Sequence, residues 1–124
     1  MDAGPYQVGV SFKDGELDIV VSGNASTEQM IKFSELFLAL LSEHKPRAIL
    51  LDCRTLQGEL GILNVYQFIE QFRIRDGPGP KIAILGRAER KGYFTFHETV
   101  AANVGIHNVR FFSDGGEATS WLRT

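Results

Sequence analysis

Four consecutive apolar residues, Ala48-Ile49-Leu50-Leu51, stand between Pro46-Arg47 and a polar stretch opening at Asp52. A run this short with no polar face suits a strand buried on both sides, which demands a covering layer above and below a sheet. An apolar-striped helix is expected next, over residues 60–72, with Ile62, Val65, Tyr66, Ile69 and Phe72 along one side. Leu60, Leu63 and Phe68 lie partly around from that stripe and widen the apolar arc. A crowded core is the preferred reading of the excess, and a surface for a partner is the other.

The remaining segments read as layers around this unit. Strands are expected at 6–12 and 16–22, joined through Asp14-Gly15, the strongest short-range hairpin signal. Gly23-Asn24 ends the second strand. Ser26 with Gln29 three residues later forms a capping box, and Met30, Phe33, Phe37, Leu40 and Leu41 give the helix one apolar face. His44-Lys45 place positive charge at its end, and Pro46 stops it. Asp76-Gly77-Pro78-Gly79-Pro80 is a loop, and Lys81–Leu85 a second buried strand. After the charged connector RAERK, a helix begins near Gly92. Phe96, Val100 and Val104 recur every four residues along it, widened by Phe94 and Ala101, and Gly105 follows as its C′ residue. Val109–Phe112 is the last strand, Ser113 or Asp114 a cap, and Ala118, Trp121 and Leu122 the inner face of a short final helix. The order β-β-α-β-α-β-α-β-α predicts an α/β fold, a mixed and mostly parallel five-stranded sheet with one antiparallel strand, flanked by four helices. The 124 residues suit a single domain, 1–124.

Composition narrows the function classes. A net charge of −2, from 13 basic and 15 acidic residues, leaves no basic stripe for a nucleic acid. Cys53, the single cysteine, has no internal disulfide partner, as expected of a reducing cytoplasm. The N-terminus lacks the pattern of a signal peptide. Apolar runs fall far short of the roughly 20 residues a membrane span needs.

Three local signatures then resemble the SpoIIAA-like family, small proteins related to STAS domains, the sulfate-transporter and anti-sigma-factor-antagonist fold. These are ILLDCRTLQG, a strand running into an Asp-containing loop; KIAILG, with the aromatic-bearing YFTFHETVAANVG beyond its connector; and VRFFSDGGEATSWL, a strand, acidic turn and A-x-x-W-L helix. In order they cover nearly the whole chain. The resemblance implies a SpoIIAA/STAS-like fold and a binding role toward proteins, nucleotides or lipids, without substrate conversion. It also implies a phosphorylated serine at the start of the helix after the central strand, and here the sequence departs. No serine lies between Asp52 and Tyr66; Glu59, Leu60 and Gly61 occupy the place, and Thr55 comes too early.

In open α/β sheets ligands gather beyond the carboxyl ends of parallel strands. That edge collects Asp52, Arg54 and Thr55 after one strand, and Arg87, Arg90 and Lys91 after the next, a candidate rim for an anionic group. Tyr93, Phe94 and Phe96 against Tyr66 and Phe72 form a candidate apolar pocket wall; the partial likeness of SpoIIAA-like folds to lipid-binding CRAL-TRIO domains implies a small hydrophobic ligand there. His44, His97 and His107 lack the spacing of a metal site, so no metal or cofactor is expected. Cys53 lacks a neighbouring base and reads as a packing residue, and DGPGP lacks the Lys-Ser/Thr of a phosphate-binding loop. No catalytic constellation converges. The expectation is a non-enzymatic regulatory or protein-interaction module, with a protein partner or a homodimer on the wide apolar arc. The alternative is a carrier or sensor of a small lipid or organic anion.

Overall fold

The structure, a computed structural model, describes residues 4–73 and 79–124, apart from the side chain of Ile62. Strand β1 (Gln7–Lys13) runs antiparallel to β2 (Glu16–Asn24), with Lys13 opposite Glu16. Asp14 at φ 54° and Gly15 at φ 79° both sit in the left-handed region, as a type I′ hairpin turn requires. Strand β2 alternates strictly: Leu17, Ile19 and Val21 are wholly buried, whereas Asp18 and Val20 face outward. It is the sheet's most connected strand, pairing antiparallel with β1 and parallel with β3 (Ala48–Asp52).

The end of β2 holds an addition to the expected five strands. Gly23, at φ 86°, swings the chain so that Gly23 and Asn24 pair with a two-residue strand β4 (Leu56–Gln57), giving a six-stranded sheet. The stretch after Asp52 is therefore not polar loop throughout: Leu56 is buried and carries β4 into the core. Its signal was one apolar residue among polar ones, too weak for a periodicity argument.

Helix α1 (Thr27–His44) begins as its sequence dictates. The Ser26 hydroxyl accepts from the Gln29 N–H at 3.1 Å, and the Gln29 side chain accepts from the Ser26 N–H at 2.9 Å. Its five expected apolar residues are all buried. Helix α2 is Ile62–Arg73, β5 is Lys81–Leu85, and α3 is Lys91–Asn103, preceded by a 3₁₀ turn at Ala88–Arg90. Gly105, at φ 89°, ends α3 in a Schellman motif: Ile106 N–H donates to the Ala101 carbonyl at 2.9 Å and Gly105 N–H to that of Ala102 at 3.0 Å. The buried residues of α3 are Phe94, Val100 and Ala101. Val104, expected on that stripe, falls beyond the last helical residue and is exposed. The expected 76–80 loop lies mainly outside the described residues.

Strand β6 (Val109–Phe112) and helix α4 (Gly115–Leu122) complete the chain, with the Asp114 carboxylate capping α4 through the N–H groups of Gly116 and Glu117. The main sheet order is β1-β2-β3-β5-β6, with β3, β5 and β6 joined in parallel. Strand order advances one way from β2 to β6, so right-handed crossovers put α1, α2 and α3 on a single face. Among the described residues only α4 covers the other, packing Ala118 and Leu122 onto Ala48 and Ala83.

A methyl group at Gly23 would stand 2.0 Å from the Pro5 carbonyl oxygen. Gly23→Ala is therefore expected to lower unfolding free energy by at least about 2 kcal/mol, and Ser26→Ala by about 1 kcal/mol, in urea titrations. Equal losses would mean that β2 does not need its turn into β4.

Candidate functional site

The three crossover helices do not seal fully against the sheet. A cavity of about 90 Å³ remains, walled by Met30 and Phe37 of α1, Phe68 and Phe72 of α2, Phe94 of α3 and Ile84 of β5, among others. Aromatic rings build two sides of it. Phe37 meets Phe68 edge-on at 5.6 Å, and Phe94 stacks on Phe111 at 5.7 Å. Gly86 makes the second pair fit, because a β-carbon there would lie 2.9 Å from the Phe94 ring.

The residues expected to form the pocket wall divide. Phe72, Phe94 and Tyr93 line the cavity. Tyr66 and Phe96 lie off its wall and pack edge-to-face on each other at 6.1 Å. Tyr66 is 51% exposed and Leu63, one turn earlier, 77% exposed, so the wide apolar arc of α2 is not all core. Leu60 and Phe68 do pack inward, half-buried against the main core. Helical spacing finds an apolar arc, but only the neighbouring layers decide which part of it is covered.

Strands β3 and β5 are adjacent, so the loops after them share one edge of the sheet, and Cys53 N–H donates to the Leu85 carbonyl across it at 2.7 Å. Two of the basic residues gathered there, Arg54 and Arg90, are already engaged. Arg54 forks onto Asp52, at 3.1 Å and 2.8 Å from the two carboxylate oxygens. Burial raises the Asp52 carboxyl, but the Arg54 hydrogen bonds outweigh it and leave the group below its ordinary range. Arg87 faces Glu89 at 3.7 Å. Thr55 is exposed, and its carbonyl accepts from Gly23 N–H.

Arg90 is the least expected of these residues. RAERK is not simply a solvated connector, because the Arg90 side chain is only 13% exposed. Its guanidinium donates to the carbonyls of Leu56 at 2.8 Å and Gly58 at 2.9 Å, and lies 5.2 Å from the Tyr93 ring centre. Tyr93 supports the same loop: its hydroxyl accepts from Leu60 N–H at 2.8 Å. Burial pushes the Tyr93 hydroxyl up to about 12.

Cys53 and His97 also line the cavity. Burial, with help from the Asp52 charge, pushes the Cys53 thiol up to about 12, so it stays protonated at neutral pH. His97 lines the cavity from α3, and its Nδ1 lies 3.2 Å from the Tyr93 carbonyl. A carbonyl only accepts, so Nδ1 carries the proton and Nε2 is the bare nitrogen of the neutral ring. Nothing in the sequence singled out His97 except its one-turn distance from Tyr93. Among the described residues no group of three or more His, Cys, Asp or Glu is placed to hold a metal ion, and no helix is long and apolar enough to cross a membrane.

This architecture can be matched to solved structures. An anti-sigma factor antagonist from Mycobacterium paratuberculosis superposes with a TM-score of 0.66 at 15% identity, covering 97% of this chain and 96% of that one. A Shewanella loihica protein described as having a SpoIIAA-like fold superposes with a TM-score of 0.58 at 21% identity, over 98% of both chains. The chain has a SpoIIAA-like fold. The match spans nearly the whole length, as the three sequence signatures implied. No family model and no curated protein matches the sequence. Within the SpoIIAA-like frame, the cavity lies beneath the crossover helices, and the exposed part of α2 lies outside it.

Burial holds the His97 imidazole below its usual 6.5, which outweighs the opposing pull of its bond to Tyr93. The neutral ring therefore stabilises the fold above pH 6.5, and that contribution is lost as pH falls through the lower folded value. Urea midpoints of the wild type should drop between pH 7.5 and pH 5 by more than those of His97→Gln. Parallel pH profiles would show that His97 is solvated in the folded chain.

Proposed function

We propose that the chain is a non-enzymatic regulatory module that docks a protein partner on α2. The observation that carries this reading is the pair Leu63 and Tyr66, one helical turn apart and largely uncovered by the chain's own core. Large apolar and aromatic side chains gathered on one exposed helix face are the usual anchors of a protein interface. The fold likeness to an anti-sigma factor antagonist supports the regulatory side of the reading. The polar groups near the strand ends support the non-enzymatic side of the reading: Arg54 is held by Asp52, Arg90 by backbone carbonyls, and Cys53 as a neutral thiol.

A photo-crosslinking residue at position 63, compared with one at Glu117 on α4, tests the proposal in cells of the source organism. Position 63 should yield one defined polypeptide adduct that position 117 does not. Tyr66→Ala should weaken the same partner at least about tenfold in a purified binding assay. No adduct at 63, or the same adducts from both positions, overturns the reading.

The cavity favours a second reading, a sensor of a small apolar molecule. About 90 Å³ is less than the ~150 Å³ apolar cavity that admits benzene and far below the roughly 300–1,000 Å³ of drug-sized sites. The guest would be a molecule of few atoms, and the lipid of the sequence-based expectation would need the helices to part. An organic anion on the rim would need Arg54 to leave Asp52. Native mass spectrometry distinguishes the readings: a retained small molecule puts the sensor first, and bare chain masses leave the partner.

A further inference from the structure

We propose that β1 is the contact strand of a two-fold symmetric homodimer in which the sheets of two copies join edge to edge. This goes beyond the partner surface on α2 and does not depend on it. Among the described residues β1 pairs with β2 alone, so its outer edge offers backbone N–H and C=O groups to a further strand. Proteins that stay monomeric blunt such edges with short strands, charges, prolines or bulges. The opposite edge follows that rule. Strand β6 has four residues, exposed Arg110 lies within it, and its Phe111 and Phe112 pack against Phe94 and Trp121. Strand β1 does not follow it. It has seven residues in unbroken register with β2, holds no proline, and is uncharged until Lys13. Val10 is 44% exposed and Phe12 41% exposed.

The pairing with β2 also selects a register. Lys13 and Glu16 flank a two-residue turn and so form a hydrogen-bonded pair, and alternate pairs follow it along the ladder. Gln7, Gly9 and Ser11 accordingly bond to β2, whereas Val8, Val10 and Phe12 turn their N–H and C=O groups outward. An antiparallel second copy with its two-fold axis beside Val10 pairs Val10 with itself and Val8 with Phe12. Every outward group then finds a partner. The three apolar side chains share the face that carries α1, because their β2 partners Val21, Ile19 and Leu17 are core residues. On the other face Gly9 meets Ser11, and Gln7 meets Lys13, so no like charges oppose. A slip of one residue would set apolar side chains against polar ones, and a slip of two would leave Val8 or Phe12 without a partner.

Sedimentation equilibrium over a broad concentration series tests the dimer, which should weigh twice the 13.8 kDa chain. Val10→Pro removes an N–H that β2 does not use, in an edge strand that tolerates proline, and should give a monomer with an unchanged circular dichroism spectrum. Val10→Lys should do the same, should the proline variant fail to fold. Leu63→Asp on α2 should leave the dimer intact. Val10→Cys should oxidise to a covalent dimer, since the α-carbons of a hydrogen-bonded pair stand about 5.5 Å apart, within disulfide reach. Native Cys53 is buried and does not compete. A single-chain mass throughout the series overturns the proposal, as does a dimer that survives Val10→Lys or is dissolved by Leu63→Asp.

Discussion

The strict alternation of β2 is the constraint on which the rest of the structure depends. Leu17, Ile19 and Val21 present one apolar face, and three strands take their place from its backbone: β1 along one side, β3 along the other, and β4 at its end. Once β3 lies parallel to β2, handedness settles the remainder. The strand order advances in one direction, the crossover helices gather on one face, and the residual space among them becomes the cavity. The site is thus a by-product of topology, lined by whatever α1, α2 and α3 present to the sheet.

Local chemistry was legible in the sequence wherever one residue type has one conformational use. Asp14-Gly15 fixes a type I′ turn, Ser26 and Gln29 cap each other's backbone, Gly105 supplies the left-handed residue after α3, and Asp114, one of the two caps the sequence offered, caps α4. Each of these is settled within a few residues of itself. The features the sequence hid are settled across distance. Strand β4 exists because Gly23 turns toward residues 33 positions later, and Arg90 is inward because carbonyls 34 and 32 positions earlier receive it. The segment around α2 shows the same limit, since periodicity grouped Leu60, which lies before the helix and packs inward, with Leu63, which does not pack inward.

The candidate site combines cations already held with an apolar interior. Arg54 and Arg90 both answer to partners within the chain, so the sheet's carboxyl edge offers less free positive charge than its composition suggests. The aromatic residues divide between two roles, Phe72 and Phe94 forming wall and Tyr66 and Phe96 forming an outward pair. Such a distribution supplies shape and apolar area, with Arg54 paired to Asp52, Arg90 to backbone carbonyls, and the Cys53 thiol neutral.

The double attachment of α3 to the loop before α2 links these regions mechanically. Arg90 grips Leu56 and Gly58 from the start of α3, and one turn of chemistry later Tyr93 grips Leu60. Tyr93 is at once a wall of the cavity and a tether of the segment that leads into Leu63. The interior and the outer face of α2 therefore share a lever. A change of volume inside that shifts the Tyr93 ring draws on the root of α2, and a partner that pulls on α2 draws in turn on the wall of the cavity.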